Sequence, residues 1–307
     1  GTPFDRMEPT DDGYWRIYTA FWLKLGFDVV PLEVPPDLDV ATHEEQGACA
    51  SRGSEAHVTI ASWEDFERYP WPEPATALDL RPFEEVASLL PAGAGIVGGV
   101  CDGPFEWASM LMGIQGLSLA VAMQPDLATA LFAKLDAILM TGLRQIADME
   151  AVVALRQGDD LGFKTATFLS PEHMRQYIFP TYRRQAEIAH AQDKPFILHS
   201  CGNLNAVYED LIECGIDAKH SFEDTILPVV EFKRMYGEQM TPLGGVDLDR
   251  VCRADEADLR AYTRHITETC FADGFWALGT GNSMPEYLPV EKLLIMLDEG
   301  FQVAGQG

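Results

Sequence analysis

Basic residues are scarce in this chain: 22 lysines and arginines stand against 48 aspartates and glutamates, a formal net charge of −26 over 307 residues. That balance argues against nucleic acid or an anionic membrane surface as a partner. It also disfavours a strongly anionic substrate, except where arginines and lysines are gathered locally. No apolar run approaches the roughly 18 to 20 residues of a membrane span. The N-terminus, Gly1-Thr2-Pro3-Phe4-Asp5-Arg6, has no signal-peptide core. The six cysteines (Cys49, Cys101, Cys201, Cys214, Cys252 and Cys270) form no CxxC pair and no tight framework. This is the usage of a reducing compartment with one or two functional thiols. Also missing are internal repeats, low-complexity segments and a glycine-rich phosphate loop early in the chain. The expectation is a cytoplasmic protein whose natural N-terminus has been trimmed.

What the chain does have is apolar residues, 47% of the total, distributed in a rhythm. Asp12 to Leu25 is amphipathic and stops at Gly26, and Phe27 to Val34 is an apolar run closed by Pro35-Pro36. Asp37 to Trp71 mixes short pieces such as His57-Val58-Thr59-Ile60 with polar turns, and Trp63 starts a short helix. From Leu80 the pattern becomes regular, with helical stretches at Pro82–Leu90, Phe105–Met123 and Pro125–Met149. Ser170-Pro171-Glu172 is a helix start with a Ser cap, and that helix reaches Gln192 with an interruption near Pro180. Further helices are expected at Leu204–Cys214, Val229–Tyr236, Ala254–Ala272 and Val290–Gly300. Strands are expected at Gly95–Val100, Ala151–Leu155, Phe196–Leu198, Ile216–His220, Thr241–Val246 and Phe275–Gly279. With Phe27–Val34 this makes seven strands alternating with helices, the pattern of a parallel sheet covered by helices. The fold class is therefore α/β, and the strand count favours a (β/α)8 TIM barrel over a doubly wound open sheet.

The Phe196 strand ends in His199-Ser200-Cys201-Gly202-Asn203. Residues two apart on a strand share a face, so an imidazole and a thiol stand side by side, half of a zinc site. A core histidine beside a buried free cysteine answers the same pattern. In a barrel, chemistry sits at the C-terminal ends of the strands, and polar clusters recur there. They are Cys101 to Glu106, then Arg156, Asp159, Asp160 and Lys164, and then His199, Cys201 and Asn203. Lys219, His220, Glu223 and Asp224 follow, then Gly244, Gly245 and Asp247, and last Gly279, Gly281, Asn282 and Tyr287. One such cluster is an ordinary loop, whereas six in register favour a site. Gly244-Gly245 reads as backbone room beside a ligand.

Four segments carry a specific resemblance: Gly158-Asp159-Asp160-Leu161-Gly162-Phe163-Lys164, His199-Ser200-Cys201-Gly202-Asn203, Leu243-Gly244-Gly245-Val246-Asp247 and Leu278-Gly279-Thr280-Gly281-Asn282. In this order they resemble the uroporphyrinogen decarboxylase superfamily from about Gly98 to Gly300. The resemblance implies a single barrel domain over 1–307, with 1–80 divergent and 81–307 recognisable, and a homodimer. The decarboxylase branch carries an Arg-rich N-terminal signature and a following aspartate, neither of which has a counterpart here. The zinc- and cobamide-dependent methyltransferase branch carries a His-x-Cys pair at a strand end, which His199 and Cys201 match.

That second likeness implies a zinc ion held by His199, Cys201 and Glu223. It also implies a methyl group passed between a small methylated donor and a separate corrinoid (cobalamin) protein. The chain itself has no corrinoid-binding Asp-x-His-x-x-Gly stretch. The branch's later zinc-ligating cysteine falls where this chain has Asn282. Asp160, Lys164, His220 and Tyr287 are then candidates for proton transfer or catalysis. Glu106, Asp159, Asn203, Gly244, Asp247 and Asn282 are candidates for substrate binding. The alternatives are a decarboxylase of the uroporphyrinogen type and a ligand-binding barrel without chemistry.

Overall fold

A computed structural model describes residues 7–38 and 58–305. The expected strand-like piece at His57 to Ile60 falls partly outside them. Its remainder is not a strand: the amides of Thr59 and Ile60 donate to the Leu111 carbonyl at 2.9 and 2.8 Å. The chain divides into two compact units, one from residues up to Gly158 with Arg184–Phe196, the other from Asp159–Arg183 with Ile197 onward.

In the first unit β1 (Val29–Val34), β2 (Gly95–Val100) and β3 (Val152–Gly158) pair in parallel. β1 and β2 run in register from Val29 against Gly95 to Val34 against Val100. The residues of β1 alternate between half-buried and buried, the period of a strand with two different faces. The long helix Pro125–Ala147 buries Leu127, Leu131, Leu135 and Leu139, a stripe at four-residue spacing that turns one face to the core. The expected continuous helix over Phe105–Met123 is two helices, Pro104–Met112 and Ile114–Met123, bent by 101° at Gly113. Among the described residues no single helix is long and apolar enough to cross a membrane.

β4 (Phe196–His199), which enters the second unit at Ile197, is buried at every position, and Ile197, Leu198 and His199 pair in parallel with Ala218, Lys219 and His220 of β5 (Ala218–His220). β6 is only Thr241–Pro242, because Gly244 and Gly245 take positive φ and end the strand. The expected strand at Phe275–Gly279 is reduced to isolated bridges, Ala277 to Leu243 and Thr280 to Val246. Phe275 itself sits at φ +52°, outside the extended region. Among the described residues, six strands and these bridges therefore stand where seven strands are expected. The Ser170 cap is present, its hydroxyl accepting from the His173 amide at 3.2 Å, and the helix breaks near Pro180 into Pro171–Tyr177 and Phe179–His190. The five described cysteines are all free thiols.

The loop after β4 is tied to the loop after Gly158. Asn203 donates its amide to the Phe163 carbonyl at 2.9 Å, and Leu161 donates its amide to the Ser200 hydroxyl at 3.1 Å. Gly202 sits between the two loops at φ +87°, and a Cβ there would collide with the Gly162 carbonyl group. Both the left-handed backbone and the close approach demand glycine. Gly202→Ala is expected to lower stability by about 1–3 kcal/mol, read as a reduced urea midpoint at unchanged m-value.

Candidate metal centre

Parallel pairing sets His199 of β4 beside His220 of β5, so their rings leave the sheet on one face with centroids 4.8 Å apart, the spacing of neighbouring strands. Their Nδ1 atoms lie 2.7 Å from one another, and His220 Nε2 lies 3.0 Å from the Thr280 carbonyl oxygen. A carbonyl only accepts, so His220 Nε2 carries the proton, which leaves Nδ1 of the neutral ring as an acceptor. His199 then donates from Nδ1 and presents a lone pair at Nε2. Two hydrogen bonds thus select the tautomer that can bind a metal, the usual service of a partner behind a ligating histidine.

That Nε2 faces a thiol and a carboxylate. Cys201 Sγ is 3.6 Å away and Asp160 Oδ1 3.7 Å away. The ligand atoms of Asp160, His199 and Cys201 all lie within 4.8 Å of one another. Tetrahedral zinc with Zn–S near 2.3 Å and Zn–N or Zn–O near 2.0–2.1 Å separates its ligand atoms by roughly 3.4 to 3.6 Å. The two separations from His199 Nε2 and the N, S, O donor set therefore fit zinc. His199 is buried, while Asp160 is part-exposed, its side chain 41% accessible.

The sulfur has its own partners. Asn282 donates its Nδ2 to Cys201 Sγ at 3.2 Å, and the Ser221 hydroxyl donates to it at 3.5 Å. The Ser283 amide donates to Asn282 Oδ1 at 2.7 Å, which fixes the side-chain amide with its donor end on the sulfur. Asn282 thus touches the thiol as a hydrogen-bond donor. Burial, reinforced by the charge of Asp160, pushes the metal-free Cys201 thiol up to about 12, and the Ser221 and Asn282 donors pull the other way.

The third member of the cluster is Asp160. Asp160 reaches the pair because its Oδ1 accepts the Cys201 amide at 2.9 Å, joining two strand-end loops. Glu223, expected as the carboxylate ligand, is not in the set. It begins a turn in which its carbonyl accepts the amides of Ile226 and Leu227. Gly244 does make room, but for protein: at φ +71° it lies where a Cβ would collide with the Thr280 carbonyl and crowd the His220 ring.

The other expected site residues have contacts of their own. Asp159 is fully buried and accepts the Tyr182 hydroxyl at 2.7 Å. Asp247 caps helix Leu248–Arg253 through Oδ1 and accepts the Asp224 amide through Oδ2. Asn203 folds back on the Asn205 amide, and Glu106 is buried in helix Pro104–Met112 of the first unit. Lys164 and Tyr287 are exposed, and neither is hydrogen-bonded to the cluster. Ser221 and Thr280 went unsingled in the sequence, since each acts through a contact that only the fold creates.

A family model for uroporphyrinogen decarboxylase (URO-D) matches residues 48–300. The chain belongs to this family. A solved methyltransferase from Methanosarcina mazei is similar in fold, with TM-score 0.64 at 17% identity over 94% of this chain and 85% of that one. A β-glycosidase from the hyperthermophile Thermosphaera aggregans aligns with TM-score 0.49 at 11% identity over 96% of this chain and 88% of that one. No curated protein matches. The parallel strands alternating with helices are those of the α/β TIM-barrel-like fold of the URO-D family.

Behind the cluster, burial pushes Lys219 down from its ordinary 10.5 to about 7, with Cys201, Asp160 and Glu223 pulling it back up. Between about pH 7 and 10.5 the unfolded chain keeps this proton and the folded, metal-free protein releases it, so stability rises with pH across that window and is lost as pH falls through 7. Lys219→Met is expected to remove that component. Urea unfolding at pH 7 and pH 9 checks it as a smaller gain with pH in the variant than in wild type.

Proposed function

We propose that this protein is a zinc-dependent methyltransferase of the URO-D superfamily, moving a methyl group from a small methylated donor to a corrinoid protein. The observation that carries the reading is the His199, Cys201 and Asp160 donor set at zinc spacing. Zinc held there supplies Lewis acidity at a remaining coordination position, for a donor's oxygen, nitrogen or sulfur.

The chain's own residues do the rest. His199, Cys201 and Asp160 hold the ion, and His220 keeps the His199 lone pair aimed at it by accepting from Nδ1. Both nitrogens of His220 are engaged, so its part is orientation rather than proton transfer. Asn282 and Ser221 donate to the sulfur and stabilise the thiolate that metal binding requires. Lys164 and Tyr287, exposed in loops of the same unit, are proposed to meet the donor or the incoming corrinoid protein. The corrinoid arrives on that partner, as the chain has no stretch of its own to carry it.

Elemental analysis of the purified protein tests the centre. Near-stoichiometric zinc is expected in wild type, with loss in His199→Ala, Cys201→Ala and Asp160→Ala and retention in Glu223→Gln. Retention in Asp160→Ala with loss in Glu223→Gln would make Glu223 the carboxylate ligand. Wild type that neither contains zinc nor takes it up would contradict the methyltransferase reading and favour a metal-free decarboxylase or a binding barrel. With zinc established, methylated donors are screened with cob(I)alamin as acceptor, and methylcobalamin formation is the expected product signal.

A further inference from the structure

Lys219 is one of the largest fully buried side chains in the protein, at 1% accessibility. It lies between Ala218 and His220 on β5, so its side chain leaves the sheet on the face opposite His220. There its Nζ donates to two backbone carbonyls, that of Ser200 at 3.3 Å and that of Ser221. Ser200 is the residue between His199 and Cys201, and Ser221 follows His220 and donates its hydroxyl to the Cys201 sulfur. One side-chain nitrogen therefore spans the two strand ends that supply the thiol, the ligating imidazole and the imidazole behind it. The Phe222 ring lies 4.5 Å from Nζ and the Tyr208 ring 6.0 Å, giving the head group an aromatic surround.

Burying a lysine head group is costly, and a leucine or methionine would pack the same niche without that cost. A purely structural role is thus a poor account of this residue. The backbone contacts that join the two loops directly are the Ser200 amide to the His220 carbonyl at 2.7 Å and the Ser221 amide to the Ser200 carbonyl at 3.5 Å, the second of them long. Lys219 supplements that weak contact from the other side of the same carbonyl.

We propose that Lys219 is a positioning residue for the metal centre, a clamp between the Ser200 and Ser221 carbonyls that holds Cys201 Sγ and His199 Nε2 at metal-binding separation. It acts through the backbone and touches neither metal nor substrate. The inference rests on the zinc reading above, and its test separates the two.

The test is zinc affinity, by competition with a chromophoric chelator, in wild type, Lys219→Met and Lys219→Gln. Met removes every donor, whereas Gln keeps a donating amide on a shorter arm. Affinity is expected to fall in the order wild type, Gln, Met, with Met about 10–100-fold below wild type, as when a residue supporting a ligand is lost. The Co(II)-loaded Met variant should also show an altered sulfur-to-metal charge-transfer band. The thermal midpoints of the metal-free proteins should not follow this order, whereas a volume or packing role would move midpoints and leave affinity alone. If the Met variant fails to fold, the Gln variant decides: weakened zinc in a folded protein supports the clamp. Wild-type affinity and spectrum in the folded variants overturn it while leaving the zinc centre standing. Absence of zinc binding in wild type overturns both.

Discussion

The contact between His199 Nδ1 and His220 Nδ1, 2.7 Å long, fixes which nitrogen of each ring holds a proton, and much of the second unit is arranged around it. It exists because β4 and β5 pair in parallel with these two residues opposite each other. It points one way because Thr280 offers a carbonyl to the far side of His220. That carbonyl is delivered by an irregular segment rather than a strand. The Gly281 amide donates to the Val246 carbonyl at 2.6 Å, and the Phe222 amide donates to the Gly281 carbonyl at 2.7 Å. The same segment carries Asn282 to the Cys201 sulfur. The loss of regular strand after Thr241 is thus tied to two polar groups set at the centre.

The charge distribution follows a similar logic. A net charge of −26 belongs to the whole surface, yet the centre combines one part-exposed carboxylate, one half-buried thiol and one buried lysine. A divalent cation bound there would meet a carboxylate and a thiolate, so the ligands neutralise it, with the Lys219 amine behind them. The acidic surface attracts metal ions at long range, and the N, S, O set selects among them at short range.

The fold was largely legible in the sequence because its signals are local. Apolar runs bounded by glycine and proline marked β1, β2 and β4, and the Ser170 cap and Pro180 break appear where the local chemistry puts them. The failures are where tertiary contacts override pattern. Phe275–Gly279 reads as a strand by composition, but the backbone at Phe275 takes positive φ and the segment turns to present Thr280. The helix over Phe105–Met123 gave no sign of a 101° bend beyond Gly113 and Gly116. At the site, two-residue spacing was enough to pair His199 with Cys201. Asp160 was visible as a strand-end polar residue, but its bond to the Cys201 amide, which brings it beside the pair, exists only in the fold. At Gly244, read as room beside a ligand, the Thr280 carbonyl lies where a Cβ would stand.

X-ray absorption at the zinc edge of the metal-loaded protein tests the central claim most directly, because it counts ligand atoms by element. The account predicts one sulfur at about 2.3 Å and the remaining ligands nitrogen or oxygen at about 2.0–2.2 Å, with the sulfur shell gone in Cys201→Ser. A shell with no sulfur, or with two, would contradict a centre built from His199, Cys201 and Asp160.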